Sequence, residues 1–363
     1  MSRIIYGVSG EGSGHTTRAR EMLRHLVQQG HEVRVVSYDR GYAALSAQYD
    51  CLAIEGLHIV SVDNRVSVWR TVLHNLRRAR QAINSNRLLG RLFEEFQPDC
   101  VITDFEPVTA WMAKILGLPL ISLDNQHRIR FMEHPVPKRL LFDLWLTRLI
   151  IAVMIPRPDA ALATSLIRGV PTNCRTFLFP PILRSDVLDR PVSDAGFHLV
   201  YLTNGYDSLI EMLHRFPDER FRVYGQRAAG RDGNLTFCDP DPDAFVDDLA
   251  ACRSVISTAG FTLISESMYL GKPLLALPIK GQFEQQLNAL CLADSGYGMW
   301  ADRASAGVLS AFFARLPDIN RHIQLCRSQS TQSGQWGPAD GITRKLDEVL
   351  ANLPSPEMHG SRI

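Results

Sequence analysis

The chain has 363 residues, of which 45% are hydrophobic and 21% charged, and a formal net charge of +1. That length favours two domains of ordinary size, and the apolar content is that of a folded globular protein. A charge so close to zero gives no reason to expect nucleic acid as a partner.

The start, MSRIIYGVSG, leads straight into a strand and a glycine loop, so no signal peptide is expected. Ile4 to Val8 reads as a buried parallel strand, followed by Gly10-Glu11-Gly12-Ser13-Gly14-His15 and a helix from about Thr16 to Gln29. Gly30-His31 ends that helix, and Val33 to Ser37 is the next strand. Val101 to Thr103 and Leu118 to Leu123 continue the same sheet. A second series begins near Phe197, with strands at His198 to Leu202, Phe221 to Tyr224, Val255 to Ser257 and Leu274 to Leu277. Strands alternating with helices predict α/β architecture: two doubly wound, Rossmann-like domains, joined where Phe179-Pro180-Pro181 breaks the pattern. The expected division is 1–180, 181–340 and a C-terminal segment 341–363, whose helix (about Ile342 to Leu353) returns to the first domain before a frayed tail. Ligands bind such sheets at the carboxyl ends of their strands, so the two domains are expected to face a cleft. The seven cysteines are scattered, with no CxxC pair, which fits reduced thiols in a cytoplasmic protein better than disulfides or zinc.

The first glycine loop has two rival readings. As a dinucleotide fingerprint it is imperfect, because the third glycine slot falls on His15, although Asp39 stands where a ribose-binding acid belongs. As a phosphate loop it fails, since no Gly-Lys-Ser/Thr follows.

The stretch Ser257 to Ala289 is denser in chemistry. Thr258-Ala259-Gly260 turns into a helix whose N-terminus, with Phe261 and Thr262, can attract phosphate. Glu266, about two turns in, can accept both hydroxyls of a ribose. Gly271-Lys272-Pro273 closes the helix, and the loop after the next strand carries Gln282, Glu284, Gln285, Gln286 and Asn288, suited to sugar hydroxyls. Asp239, Asp241 and Asp243 form a DxD-like run, but Pro240 and Pro242 interrupt it, and a loop leading to a helix cap is the better reading.

The order and spacing of Ser257–Ala289 resemble the C-terminal donor-site signature of GT-B glycosyltransferases, above all the group of the bacterial lipid II N-acetylglucosaminyl transferase and the UDP-glycosyltransferases (families 28 and 1). Ser-Thr-Ala-Gly stands where plant-type enzymes have His-Cys-Gly-Trp, and Glu284-Gln285 where they have Asp-Gln, which leaves the donor sugar open. The resemblance implies an inverting, metal-independent hexosyltransferase using an NDP-sugar, expected to be a UDP-sugar, as co-substrate and no cofactor. It implies a base or positioning role for His15, with Asp104 as its orienting carboxylate. It puts Glu11, Ser13, Glu106, Asp124, Asn125 and His127 on the acceptor side. It adds Gly14, Arg184 (on the diphosphate), Thr203, Asn204, Phe237 and Cys238 to the donor side. Alternatives are a GT-B sugar-nucleotide 2-epimerase and a non-catalytic nucleotide-sugar-binding partner.

The segment 138–155 is apolar nearly all round, with Arg139, Asp143 and Thr147 as a narrow polar stripe. It is too short and too charged to span a bilayer, and its Trp and flanking cations suit an interfacial helix. A helix from Trp69 to Phe96 carries Arg70, Arg77, Arg78, Arg80, Arg87 and Arg91, a basic face that suits an anionic cytoplasmic leaflet. A core helix beside a solvated basic helix is the plain alternative. Membrane contact would make the acceptor lipid-linked and place the protein at the inner face of the plasma membrane.

Overall fold

The computed structural model describes residues 1–56, 61–62, 65–66, 79–201, 207–225, 228–330 and 339–353. The chain divides into two compact units, the first Met1–Val60, Ser67–Ile182 and Ala339–Ile363, the second Ser61–Val66 and Leu183–Pro338. The strands are β1 (Arg3–Val8), β2 (Glu32–Ser37), β3 (Cys51–Ala53), β4 (Ser61–Val62), β5 (Arg65–Val66), β6 (Cys100–Asp104), β7 (Leu120–Asp124), β8 (Ala160–Thr164), β9 (Thr176–Phe179), β10 (His198–Tyr201), β11 (Phe221–Tyr224), β12 (Gly230–Asp232), β13 (Leu235–Cys238), β14 (Ser254–Ser257), β15 (Leu274–Ala276) and β16 (Gly298–Trp300).

The first unit is a seven-stranded sheet in the order β3-β2-β1-β6-β7-β8-β9, parallel throughout. Its strands are apolar on both faces because helices cover both, as parallel sheets require. Those helices are α1 (Ser13–Gln28), α2 (Asp39–Leu45), α3 (Ala79–Phe96), α4 (Pro107–Ile115), α5 (Gln126–Phe131) and α6 (Leu141–Met154). On one face, Met22, Leu23 and Leu26 of α1 pack with Ile4, Tyr6, Ile102 and Leu162. On the other, Leu89, Phe93 and Phe96 of α3 and Ala110 and Ala113 of α4 pack with Ile5, Val36 and Val101.

The second unit carries a sheet in the order β12-β13-β11-β10-β14-β15-β16, parallel except for the antiparallel edge strand β12. Its helices are α7 (Ser185–Leu188), α8 (Asp207–Leu213), α9 (Pro242–Ala251), α10 (Phe261–Leu270), α11 (Phe283–Asp294) and α12 (Ala306–Ser330). The last helix, α13 (Asp340–Ala351), belongs to the first unit: Ile342, Leu346 and Leu350 lie in the α1 core, and His25 Nε2 is 2.8 Å from Asp347 Oδ1.

Each sheet has one place where strand order reverses. In the first it lies between β1 and β6, and in the second between β10 and β14. Such switch points, at the carboxyl ends of the strands, are where open α/β sheets hold ligands. Both glycine-rich segments singled out in the sequence sit there: 10–15 follows β1, and 258–260 follows β14.

Two segments end differently from expectation. Helix α1 starts at Ser13 rather than near Thr16, so Ser13, Gly14 and His15 form its first turn instead of a loop. Gly12 makes this early start possible, with a φ of 84° that other residues rarely adopt. Gly10 is required for a different reason: a Cβ there would lie 2.0 Å from the Tyr38 carbonyl oxygen. In the second unit, Glu284, Gln285, Gln286 and Asn288 stand on α11 rather than in a loop, with Gln282 as its N-cap residue.

Candidate active and donor sites

In the first unit the site is built at the end of β6. Asp104, its last residue, is fully buried and takes two partners from α1. His15 Nδ1 lies 2.6 Å from Asp104 Oδ1, with 14% of the His15 side chain exposed. Arg18, one turn further along, donates from Nε to Asp104 Oδ2 at 2.8 Å and from Nη2 to Oδ1. The next residue, Phe105, has a φ of 56°, a strained value for an aromatic side chain, and its ring stacks on His15 with centroids 6.4 Å apart.

Arg18 escaped the sequence reading. Its signal was there: it follows His15 by three, which puts both side chains on one helix face. The strain at Phe105 has no such signal.

The acceptor-side residues fare differently. Glu106 is the N-cap of α4, it is fully buried, and its oxygens accept from the Val108 and Thr109 N–H groups at 2.8 and 2.7 Å and from the Thr109 hydroxyl. Burial pushes its carboxyl up, and those bonds pull it partly back.

Asp124 and His127 are also fully buried. The Asp124 carboxylate accepts from the His127 backbone N–H at 2.8 Å, lies 2.7 Å from His127 Nδ1, and takes the Ser122 hydroxyl at 3.0 Å. Burial alone would raise its pKa, but His127 and Arg18 outweigh it and hold the carboxyl at about 2. Asn125 is buried, with its amide oxygen 3.4 Å from Arg18 Nη1. Glu11 is partly buried, and its N–H is 3.4 Å from the Ser9 hydroxyl. Gly14 is partly buried on α1, and the side chain of Ser13 lies outside the described residues.

In the second unit, helix α10 opens on Gly260 without a side-chain cap and without an acidic residue in its first turn. Its first residues are Phe261 and Thr262, after Thr258 and Ala259, which are buried. The turn before it is braced. Gly260 N–H donates to the Thr258 carbonyl at 2.8 Å, and the buried Asn288 amide donates to the Ala259 carbonyl at 2.9 Å. Asn288 therefore braces the turn.

Glu266 is 2% exposed and pairs with Arg184, whose Nε and Nη2 donate to its two oxygens at 2.8 and 3.0 Å. Burial raises the Glu266 carboxyl, and the guanidinium opposes it. A carboxylate has about four lone-pair directions, and the fork uses two. Gln285 Oε1 accepts from the Ile279 N–H at 2.9 Å, while the buried Gln286 Oε1 has no partner among the described residues. Glu284 stands in the first turn of α11. Phe237 is buried and Cys238 partly buried at the end of β13. Thr203 and Asn204 lie outside the described residues. Of the aspartate run, Asp241 is the N-cap of α9, accepting from the Asp243 and Ala244 N–H groups.

The comparisons agree with this architecture. An "Uncharacterized glycosyltransferase" from Methanosarcina acetivorans is 24% identical over 331 residues, covering 82% of this chain and 84% of that protein. Among solved structures, CalG4, the calicheamicin glycosyltransferase, superposes with a TM-score of 0.66 at 17% identity, over 98% of this chain and 100% of that one. The spinosyn rhamnosyltransferase SpnG, complexed with thymidine diphosphate, gives 0.62 at 14% identity, over 96% and 100%. The family model for glycosyl transferase family 1 matches residues 2–317, so with two Rossmann-like sheets in the GT-B arrangement of elements the chain belongs to glycosyl transferase family 1.

Proposed function

We propose that this enzyme is an inverting, metal-independent hexosyltransferase that takes its sugar from a pyrimidine nucleoside diphosphate sugar. The observation that carries the reading is the N-terminus of α10, without a side-chain cap, at the switch point of the second sheet, with Glu266 on the same helix held by Arg184 from the start of α7. The helix dipole, with no acidic side chain in the first turn to oppose it, favours a diphosphate. The two lone-pair directions left on Glu266 suit a ribose diol. Gln286 and Glu284 supply sugar contacts. UDP- and TDP-sugars are both in scope, since the resemblance points to uridine and SpnG is complexed with thymidine diphosphate.

In the reaction, an acceptor hydroxyl gives its proton to His15 while its oxygen bonds to the anomeric carbon. The bond from that carbon to the diphosphate oxygen breaks, and the diphosphate leaves with the electron pair, stabilised by the α10 amides and a guanidinium. The acceptor belongs to the first unit and the donor to the second.

The acceptor is proposed to be lipid-linked, reached at the inner face of the plasma membrane. What supports this is α6, whose Phe142, Trp145, Leu149, Ile150 and Val153 are 44–67% exposed, together with Trp111 and Ile115 of α4. Trp111 Nε1 donates to the Val153 carbonyl at 3.0 Å, so the two helices present these side chains together. Exposed cations stand at both ends, Lys138 and Arg139 before α6 and Arg157 after it. No helix among the described residues is long and apolar enough to cross a membrane. Of the basic helix, Arg87 and Arg91 are exposed, and Arg70, Arg77, Arg78 and Arg80 have side chains outside the described residues.

A thermal-shift screen with UDP, TDP, UDP-glucose, UDP-N-acetylglucosamine, TDP-glucose and GDP-mannose tests the donor reading. A ligand present at 100 times its Kd adds about 2.7 kcal/mol to stability, a shift of several degrees. No shift with any pyrimidine diphosphate would end it.

A further inference from the structure

The cluster at the end of β6 contains one more group than a histidine–carboxylate pair needs. Arg18 is buried on α1, and its fork closes on both oxygens of Asp104. Asp104 Oδ1 is shared: Arg18 Nη2 and His15 Nδ1 both reach it, and those two nitrogens are 3.2 Å apart.

That geometry restricts the protons. A guanidinium only donates, so both oxygens of Asp104 act as acceptors toward it. At 2.6 Å from a carboxylate oxygen, His15 Nδ1 must carry a hydrogen, since a lone pair there would face a lone pair. The lone pair of the neutral ring is then on Nε2. Charge adds a second restriction. Without Arg18, the Asp104 anion would favour a protonated imidazole. With Arg18 beside it, the anion is already matched, and a further positive charge on His15 would sit next to a guanidinium.

The other ionisable groups around the cluster are Tyr6 on β1, a phenol that burial keeps un-ionised, and Asp124 on β7, which is matched by His127. Neither substitutes for Arg18. Asn125 contributes only an amide, and Phe105 covers the ring face.

We propose that Arg18 is a positioning residue that, through Asp104, holds His15 in its Nδ1–H tautomer and offsets the carboxylate's pull on a second proton, leaving Nε2 open to receive one. This rests on the reading of His15 as the base, and it adds what makes that histidine competent.

The test is an imidazole NMR titration of the full-length, ligand-free protein, with the His15 signals assigned by their loss in His15→Gln. In the wild type the neutral ring should give the Nδ1–H pattern. Arg18→Gln should raise the His15 midpoint by about one to two pH units, the size of an unmatched charge a few ångströms away at an effective dielectric constant near 20. Arg18→Lys, which keeps a charge but loses the fork, should stay within about half a unit of the wild type. An unmoved midpoint in folded Arg18→Gln would overturn the proposal, and so would an equal shift in Arg18→Lys.

Arg18→Gln leaves a buried carboxylate unmatched and can fail to fold, so the same comparison is made on a neutral background. Asp104→Asn alone should have a lower His15 midpoint than Arg18→Gln/Asp104→Asn, and equal midpoints would sink the idea. Diphosphate release from UDP-glucose or TDP-glucose separates the two readings. If His15→Ala retains it while the titrations behave as stated, the base assignment fails and Arg18 still controls the His15 proton. If His15→Ala abolishes it and the titrations are flat, His15 stands and the Arg18 proposal falls.

Discussion

Single side chains decide whether the two sites work as argued. Removing the proposed base should cost turnover and little else: His15→Ala is expected to lower kcat by about 10²- to 10⁴-fold. Its thermal shift with the donor nucleotide should match the wild type, and a comparable loss in both would place His15 in binding rather than proton transfer. Glu266 makes the opposite prediction. Glu266→Ala removes the proposed ribose acceptor and strands the Arg184 guanidinium, so the nucleotide shift should largely disappear. Glu266→Gln keeps the shape and part of the bonding, so it should fall between, read as Kd by calorimetry.

Some of these residues were readable in the sequence and some were not. Gly260 and Glu266 announce themselves because a glycine turn, a helix start and a carboxylate lie within one local stretch. Asp104 and Glu106 both fit helix-cap chemistry, and only the backbone path shows that Glu106 takes the cap while Asp104 faces α1. Arg18 and Arg184 were harder, because their partners lie 86 and 82 positions away and no local period records such a pairing.

At the scale of elements, the strands were legible because two covered faces demand continuous apolar runs. Their ends were less so, since Asp104 and Asp124 are polar and still complete β6 and β7. Helix α6 is the reverse case. A helix apolar on almost every side does not disclose in its sequence which face meets the core, and the fold buries only Leu144 and Ile151. The side chains left outside make a direct prediction. Trp145→Asp/Leu149→Asp should abolish sedimentation with vesicles containing about one-third anionic lipid, because each substitution replaces inserted apolar surface by a charge that the leaflet repels. If the wild type never sediments, the interfacial reading is wrong. Neither residue is in the α10 site, so the nucleotide shift of the double variant should be unchanged.

At the scale of the whole molecule, stability should depend on acid through the first unit. His134 is buried against the Arg128 carbonyl, and burial lowers its pKa to about 4. A histidine held neutral in the fold, with an ordinary value near 6.5 when unfolded, contributes stability that is complete above about 6.5. That contribution is lost as pH falls from there to about 4, because the unfolded chain binds the extra proton. The loss should be on the order of 2 kcal/mol. Asp124 acts in the same direction lower down, between its unfolded value and about 2. Urea unfolding at pH 7 and pH 4.5 should show this loss in the wild type and a smaller one in His134→Gln, which keeps a donor for the carbonyl. Equal losses would show that another group is responsible.

Helix α13 adds a constraint that concerns time rather than shape. The first unit is built from residues at both ends of the chain, and Ile342, Leu346 and Leu350 complete its core. Each buried side chain of that kind contributes about 1.5–3 kcal/mol, a large fraction of a domain's net stability. During synthesis from the N-terminus, the part that emerges first therefore waits with Met22, Leu23 and Leu26 short of their full cover until α13 has been made. The half made later has its main run, Leu183–Pro338, off the ribosome sooner. The order of translation and the order of completion are thus opposed, and the first unit is the one that needs shelter until α13 emerges.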